Sequence, residues 1–436
     1  MYGFILFILK IYYIFSSSII TLPFKRIFDN ETNINISFHD LFFDNIIYTK
    51  ISIGTPKREL FFQIKSNQYT FCVRNDSYIY MNSSTYKYND KNEIDVYNRD
   101  FRFSIKSNES FILGKENILI NDLKYMLTKE SKFKYDGILG LQILDNNGKV
   151  WGYNLIPQLK EKSLINKECF FYDFEKNLDG ELIIGEYPHL IDKYKTKFHE
   201  EQFQVTSVFI PSYDQNFDFK FRSVFWNGTE LESLTFAHIE VELGMIKGSM
   251  NFCEISWDFF SPHFRKGKCK FTDVHVLYQS YVCDDYEDFD ITKFPSIQFY
   301  INDADYNFEL TYEDIFVKKE GKVYFMICFK KMGFDVTWDL GNLFLKRNML
   351  IFDMDRKIMG FYNRNINYKT SSNSSNKNKI ILLIIIIIIA TLVIIGLVAF
   401  IIINFINKKR PKKAYELNEG EDYDYSSNIL KAEINE

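Results

Sequence analysis

Residues 380–406, IILLIIIIIIATLVIIGLVAFIIINFI, form an almost unbroken apolar run, and no other stretch limits this chain so strongly. As a helix rising 1.5 Å per residue the run spans roughly 40 Å, more than the ~30 Å hydrocarbon layer of a bilayer, so it predicts one tilted C-terminal transmembrane helix. Lys408, Lys409, Arg410, Lys412 and Lys413 follow it directly, whereas Lys377 and Lys379 precede it. That bias puts the tail, residues 407–436, in the cytosol and everything before the run outside it. Residues 1–22 open with a hydrophobic stretch broken by Lys10 and lead to Ser16, Ser17 and Ser18, which reads as a signal peptide cleaved near the serines. The expectation is a single-pass type I protein of the secretory pathway or cell surface, with a luminal or extracellular body and the lipid bilayer as one partner.

This topology sets how the polar residues are read. Cys72, Cys169, Cys253, Cys269, Cys283 and Cys328 would fold in an oxidising compartment, which favours disulfides, but spacing does not choose the pairs. Sequons begin at Asn30, Asn35, Asn75, Asn82, Asn108, Asn227 and Asn373, all on the outer side, and are glycosylation candidates. A formal net charge of -4 gives no basic field for nucleic acid, and that class is set aside. The six histidines are scattered, without HExxH, and there is no CxxC or GxSxG, so no metal and no cofactor is expected. Residues 367–379 are polar and form a stalk, and the acidic, Tyr-containing tail reads as disordered.

Between residues 40 and 362 the chain is a series of short, aromatic-rich segments punctuated by Gly, Asn, Asp and Pro, a mostly β pattern with short helices near 156–163 and 259–264. Several motifs follow one another in order: YTKISIGTPKRELFFQIKSNQYTFCV at 48–73, SSTY at 83–86, YDGILGL at 135–141 and DGELIIG at 179–185. SVFWNGTELESLTFAHIEVELG at 223–244, FPSIQFYI at 294–301 and WDLGNLFLKRNMLIFDMDRKIMGFY at 338–362 complete the series. Together they resemble the pepsin-like aspartic protease family, including its membrane-anchored, plasmepsin-like members. The resemblance implies a bilobal acid protease fold, with an N-terminal lobe at 23–195 and a C-terminal lobe at 196–366. It also favours a disulfide between Cys283 and Cys328, with a local bridge between Cys253 and Cys269; Cys72 and Cys169 are left open between a bridge and two buried thiols.

In that family each lobe delivers an Asp-Thr/Ser-Gly loop to the floor of a cleft. Counted without gaps, the first of these is Lys65, Ser66 and Asn67, and the second is Glu242, Leu243 and Gly244. Two carboxyls sharing a proton are needed to activate water, so a lysine opposite a glutamate predicts an ion pair and no competent catalytic residue. Glu240 shares a strand face with Glu242 and reads as a solvated or paired charge; Asp136 and Asp339 belong to structural loops. Residues 101–114, where the family has its flap, lack a tyrosine and have no glycine before Gly114. The resemblance therefore implies a membrane-anchored pseudoprotease that binds a peptide or protein ligand in its cleft. The alternatives are an active aspartic-type endopeptidase with an atypical site and a glycosylated adhesive or structural surface protein.

Overall fold

The computed structural model describes residues 19–26, 47–88, 101–131, 135–142, 153–175, 179–208, 217–332 and 336–366, with 389, 392, 396 and 400–402. The chain divides into two compact units, Met1–Tyr368 and Lys369–Glu436. In the second, Ile389, Leu392, Gly396, Phe400, Ile401 and Ile402 are helical. Among the described residues no helix is long and apolar enough to cross a membrane. The rest of the expected span, the stalk and the tail lie outside the described residues, as do Asn30, Asn35 and Asn373.

The first unit is mostly β. Alternating apolar residues produce strands with one buried face: Ile47, Ile51 and Ile53 turn inward on Ile47–Ile53, and Ile297, Phe299 and Ile301 do so on Ile297–Ile301. A thirteen-stranded sheet holds most of residues 20–207, and a twelve-stranded sheet holds most of residues 218–340. The first sheet also takes the last two strands of the unit: Ile351–Asp353 pairs with Cys169–Phe174, and Ile358–Tyr362 pairs with Phe203–Ser207. A division at residue 195/196 thus cuts through a continuous sheet, because the end of the second half returns to the first.

The strand Ile20–Arg26 lies across the other boundary. It lies between Gly180–Ile184 and Ile47–Ile53 and buries Ile20, Leu22 and Phe24. The folded body therefore claims Ile20, Thr21 and Leu22, which the sequence-based boundary gave to the signal peptide.

The expected short helix at 156–163 is observed at Leu155–Glu161, where the Asn154 side chain accepts from the Ile156 amide. The other is much longer than the sequence suggests: Met250–Arg265, capped by Ser249, whose hydroxyl accepts from the Phe252 amide. Phe252, Ser256 and Phe260 recur every four residues on its buried face, and Pro262 near its end disguises the pattern. This helix packs the aromatic core of the second half, with Phe260 stacked on Tyr281 at 4.0 Å between ring centroids and edge-on to Phe325 at 5.1 Å. At about 1.5–3 kcal/mol for each buried large apolar side chain, this cluster is a main source of stability.

Neither expected disulfide forms. Cys269 bonds Cys283 because the two are register partners on the antiparallel strands Cys269–His275 and Tyr278–Asp284. Cys328 lies instead opposite Lys247 in a buried group with Met245, Val274 and Met326. Cys253 sits on the long helix with its Sγ 3.9 Å from the Tyr281 hydroxyl. Cys72 and Cys169 are fully buried on Phe71–Arg74 and Cys169–Phe174.

Candidate functional site

Two loops, one from each half, meet at the centre of the first unit. The first leaves the strand Arg58–Lys65, which runs parallel to Gly137–Gly140 with Lys65 opposite Gly140. Gly140 has to be glycine, since a Cβ there would lie 2.5 Å from the Gln68 carbonyl oxygen and 2.7 Å from the Thr70 nitrogen. In the second half Phe236–Ile239 runs parallel to Trp338–Leu340, with Ile239 opposite Leu340 and the Glu240 amide donating to the Leu340 carbonyl at 3.2 Å. The next residue is Gly341, where a Cβ would lie 2.5 Å from the Leu243 oxygen and 2.2 Å from the Met245 oxygen.

The two glycines do the same work, and matching them aligns the halves. Gln68 and Thr70 stand three and five places after Lys65; Leu243 and Met245 stand three and five places after Glu240. Lys65 is therefore the counterpart of Glu240, Ser66 of Val241, and Asn67 of Glu242. The ungapped count that ended on Glu242, Leu243 and Gly244 runs two residues too far, because it follows the family's spacing without the register of the supporting glycine.

The junction is built on Ser66, which is buried. Its Oγ accepts from the Val241 amide at 3.0 Å and lies 3.1 Å from the Ile239 carbonyl and 2.8 Å from Glu242 Oε2, to one of which it donates. The backbone on both sides of Glu240 is thereby tied to the first half. Val241, the counterpart of Ser66, has no hydroxyl to return the contact. Glu242 returns it instead: its Oε1 accepts from the Ser66 amide at 3.1 Å and the Asn67 amide at 3.3 Å. Lys65 is half-buried just before this knot and is itself engaged.

Beside the knot runs a row of charges. His238 and Glu240 share one face of their strand by the period of two, Asp339 is the register partner of His238, and Lys247 is the register partner of Asp339. The Lys247 ammonium lies 2.8 Å from Asp339 and 3.4 Å from Glu240, and 5.4 Å from the Tyr278 ring centroid. Burial pushes the Glu240 carboxyl up to about 7, with Asp339 and Glu242 adding to the rise and Lys247 opposing it. Burial works against the charge on Lys247, but Glu240 and Asp339 outweigh it and hold the ammonium above its ordinary value. Burial likewise opposes protonation of His238, yet Asp218, 2.6 Å from its Nδ1, raises it. Tyr172 is buried and its hydroxyl is raised by burial and by Glu242.

The structure thus brings together Ser66, Asn67 and Glu242, and promotes Glu240, which the sequence reading left as a paired charge. It is indeed paired, with Lys247. The reading missed Lys247 and gave Asp339 only a loop role; strand period and the WDLG register were the signals that link them. Asp136 is structural, its Oδ2 accepting from the Phe61 amide at 2.9 Å.

The flap-equivalent residues also differ from a hinged lid. Phe101–Leu113 is one strand, paired along its length with Ile118–Ser131, and the turn after it docks on the body through the Lys115 amide and the Thr21 carbonyl at 3.0 Å. Asn108 lies within this strand, nearly buried, with its side-chain nitrogen donating to Asp122 at 2.9 Å. Asn82 and Asn227 are exposed and Asn75 is half-buried.

Two parallel-strand loops, each backed by a glycine and tied to the other across the halves, define an aspartyl-protease type of domain. The family model for eukaryotic aspartyl proteases matches residues 47–363, and the chain belongs to that family. No curated protein matches it.

Proposed function

We propose that this aspartyl-protease domain has lost peptide hydrolysis and serves as a membrane-anchored binding module for a peptide or protein ligand. The observation that carries the reading is that Lys65 and Glu240 occupy the equivalent loop positions of the two halves, by the register of Gly140 and Gly341. Acid-base hydrolysis by this fold needs two carboxyls sharing one proton; a lysine at one position removes both the acid partner and the repulsion that keeps the proton shared. Glu240 is committed to Lys247, and Glu242 to the amides of the opposite loop. The hairpin of Phe101–Leu113 and Ile118–Ser131 is docked at its turn on the body, through the Lys115 amide and the Thr21 carbonyl. An extended peptide held between the halves would bind by strand addition. The apolar run at 380–406, with its basic C-terminal flank, supports a type I anchor in the secretory pathway or at the cell surface.

The test is a quenched-fluorescence peptide library incubated with the full chain in detergent between about pH 3 and pH 7.5, a range covering the carboxyl titrations invoked here. No cleavage is expected. Cleavage that disappears in Glu240→Ala or Glu242→Ala would overturn the proposal and establish the second reading, a single-carboxylate endopeptidase, for which the raised Glu240 carboxyl is the supporting feature. Protease protection of the tail in intact vesicles tests the anchor: digestion of the body, with the tail spared, from the luminal side is the expected result.

A further inference from the structure

We infer that the ionic row on the second half is an acid-tightened clamp: protonation of Glu240 strengthens the Glu242 tie that binds the two halves together. The inference concerns the junction itself and holds whether or not a peptide binds between the halves.

The geometry makes Glu240 the point where charge and junction meet. Its backbone neighbours, the Ile239 carbonyl and the Val241 amide, are both held by Ser66 Oγ, at 3.1 and 3.0 Å. Two residues on, Glu242 spans the junction to the Ser66 and Asn67 amides. A negative Glu240 therefore stands next to the carboxylate that carries the tie. The other groups facing it are Asp339 and Lys247 from the neighbouring strands, His238 and Glu242 from its own segment, Tyr278 over Lys247, and the Cys328 thiol, which burial holds neutral. His238 brings Asp218 with it, and Lys65 precedes Ser66 on the opposite loop. Two carboxylates, Glu240 and Asp339, thus share the Lys247 ammonium.

Taking up one proton on Glu240 removes its repulsion of Glu242 and leaves Lys247 to Asp339, at 2.8 Å. Glu242 keeps the Ser66 and Asn67 amides as its donors. Because burial and the neighbouring carboxylates raise the folded Glu240 carboxyl above its unfolded value, the folded state binds the extra proton; stability is gained as pH falls from about 7 toward the ordinary carboxylate range. His238, also raised, acts in the same direction: its contribution is complete below its ordinary value and is lost as pH rises through the folded one. The two are told apart by substitution.

The experiment is amide exchange of the Ser66–Asn67 segment in the full chain in detergent, corrected for intrinsic rates, with thermal melts from about pH 8 to about pH 5.5, the window in which Glu240 titrates. The expected result is a severalfold rise in protection and a rising melting temperature as pH falls through about 7. Glu240→Gln, a neutral mimic of the protonated form, should hold the acid level of Ser66–Asn67 protection at every pH and leave in the melts only the rise that His238 supplies, and His238→Asn should keep the protection step. Asp339→Asn removes a like charge and should move the midpoint to lower pH, which keeps the test decisive if Glu240→Gln does not fold. A flat wild-type profile, a protection step that survives Glu240→Gln, a protection step lost in His238→Asn, or an Asp339→Asn midpoint that does not move would each overturn the clamp.

Discussion

Replacing Ser66 by alanine tests whether the two halves are held as the junction implies. The change removes one oxygen from a buried site and leaves the Val241 amide without the acceptor it has at 3.0 Å. Val241 is fully buried, so water cannot take the place of the hydroxyl. Stranding a buried donor costs about 1–3 kcal/mol, and losing the hydroxyl's own donation to Ile239 or Glu242 adds about 1 kcal/mol, for a total of about 2–4 kcal/mol. With an unfolding entropy of ~2.1 cal/mol/K per residue over the roughly 320 residues of the family domain, this lowers the melting temperature by about 3–6 °C. The assay is differential scanning calorimetry of the full chain, with Ser66→Thr as the control that keeps the hydroxyl and should lose less than half as much. A shift under about 1 °C for Ser66→Ala, or equal losses for both variants, would show that Ser66 does not carry the junction.

The remaining predictions concern the frame around it. Mass spectrometry of the unreduced protein should find Cys269 joined to Cys283, with Cys253 and Cys328 alkylated as thiols after denaturation; Cys269→Ser should cost about 3 kcal/mol, the amount expected for closing a loop with a sequence separation of 14. Gly140→Ala and Gly341→Ala each drive a methyl into backbone oxygen and should destabilise the domain by at least about 1–3 kcal/mol in urea melts. Gly228→Ala, where φ is +76° but the space is open, should cost about 1–2 kcal/mol from backbone conformation alone. Glycopeptide mapping of protein made in a eukaryotic secretory host should find glycan at the exposed Asn82 and Asn227 and none at Asn108, whose side-chain nitrogen is held by Asp122.

What the sequence conveyed and what it withheld follow from how local each feature is. The Asn227–Gly228 turn was legible because a two-residue hairpin needs positive φ at both positions, here 50° and 76°, and those residue types supply it. The family was legible because its strands, turns and closing segment each leave a local signature in the right order. The disulfide was not: it depends on which residues of two strands face one another, and Cys269 and Cys283 are set opposite by a hairpin that spacing does not reveal. The second loop failed for a related reason. An ungapped count takes the family's spacing for granted, whereas the position of the loop is fixed by strand register, Ile239 lying opposite Leu340 just before Gly341. The supporting glycines are the better ruler, because backbone contact tolerates no side chain at Gly140 or Gly341, and WDLG and GILG were both visible from the start. Measured from those glycines, Lys65 is matched with Glu240, and Glu242 becomes the group that replaces a missing hydroxyl in tying the halves together.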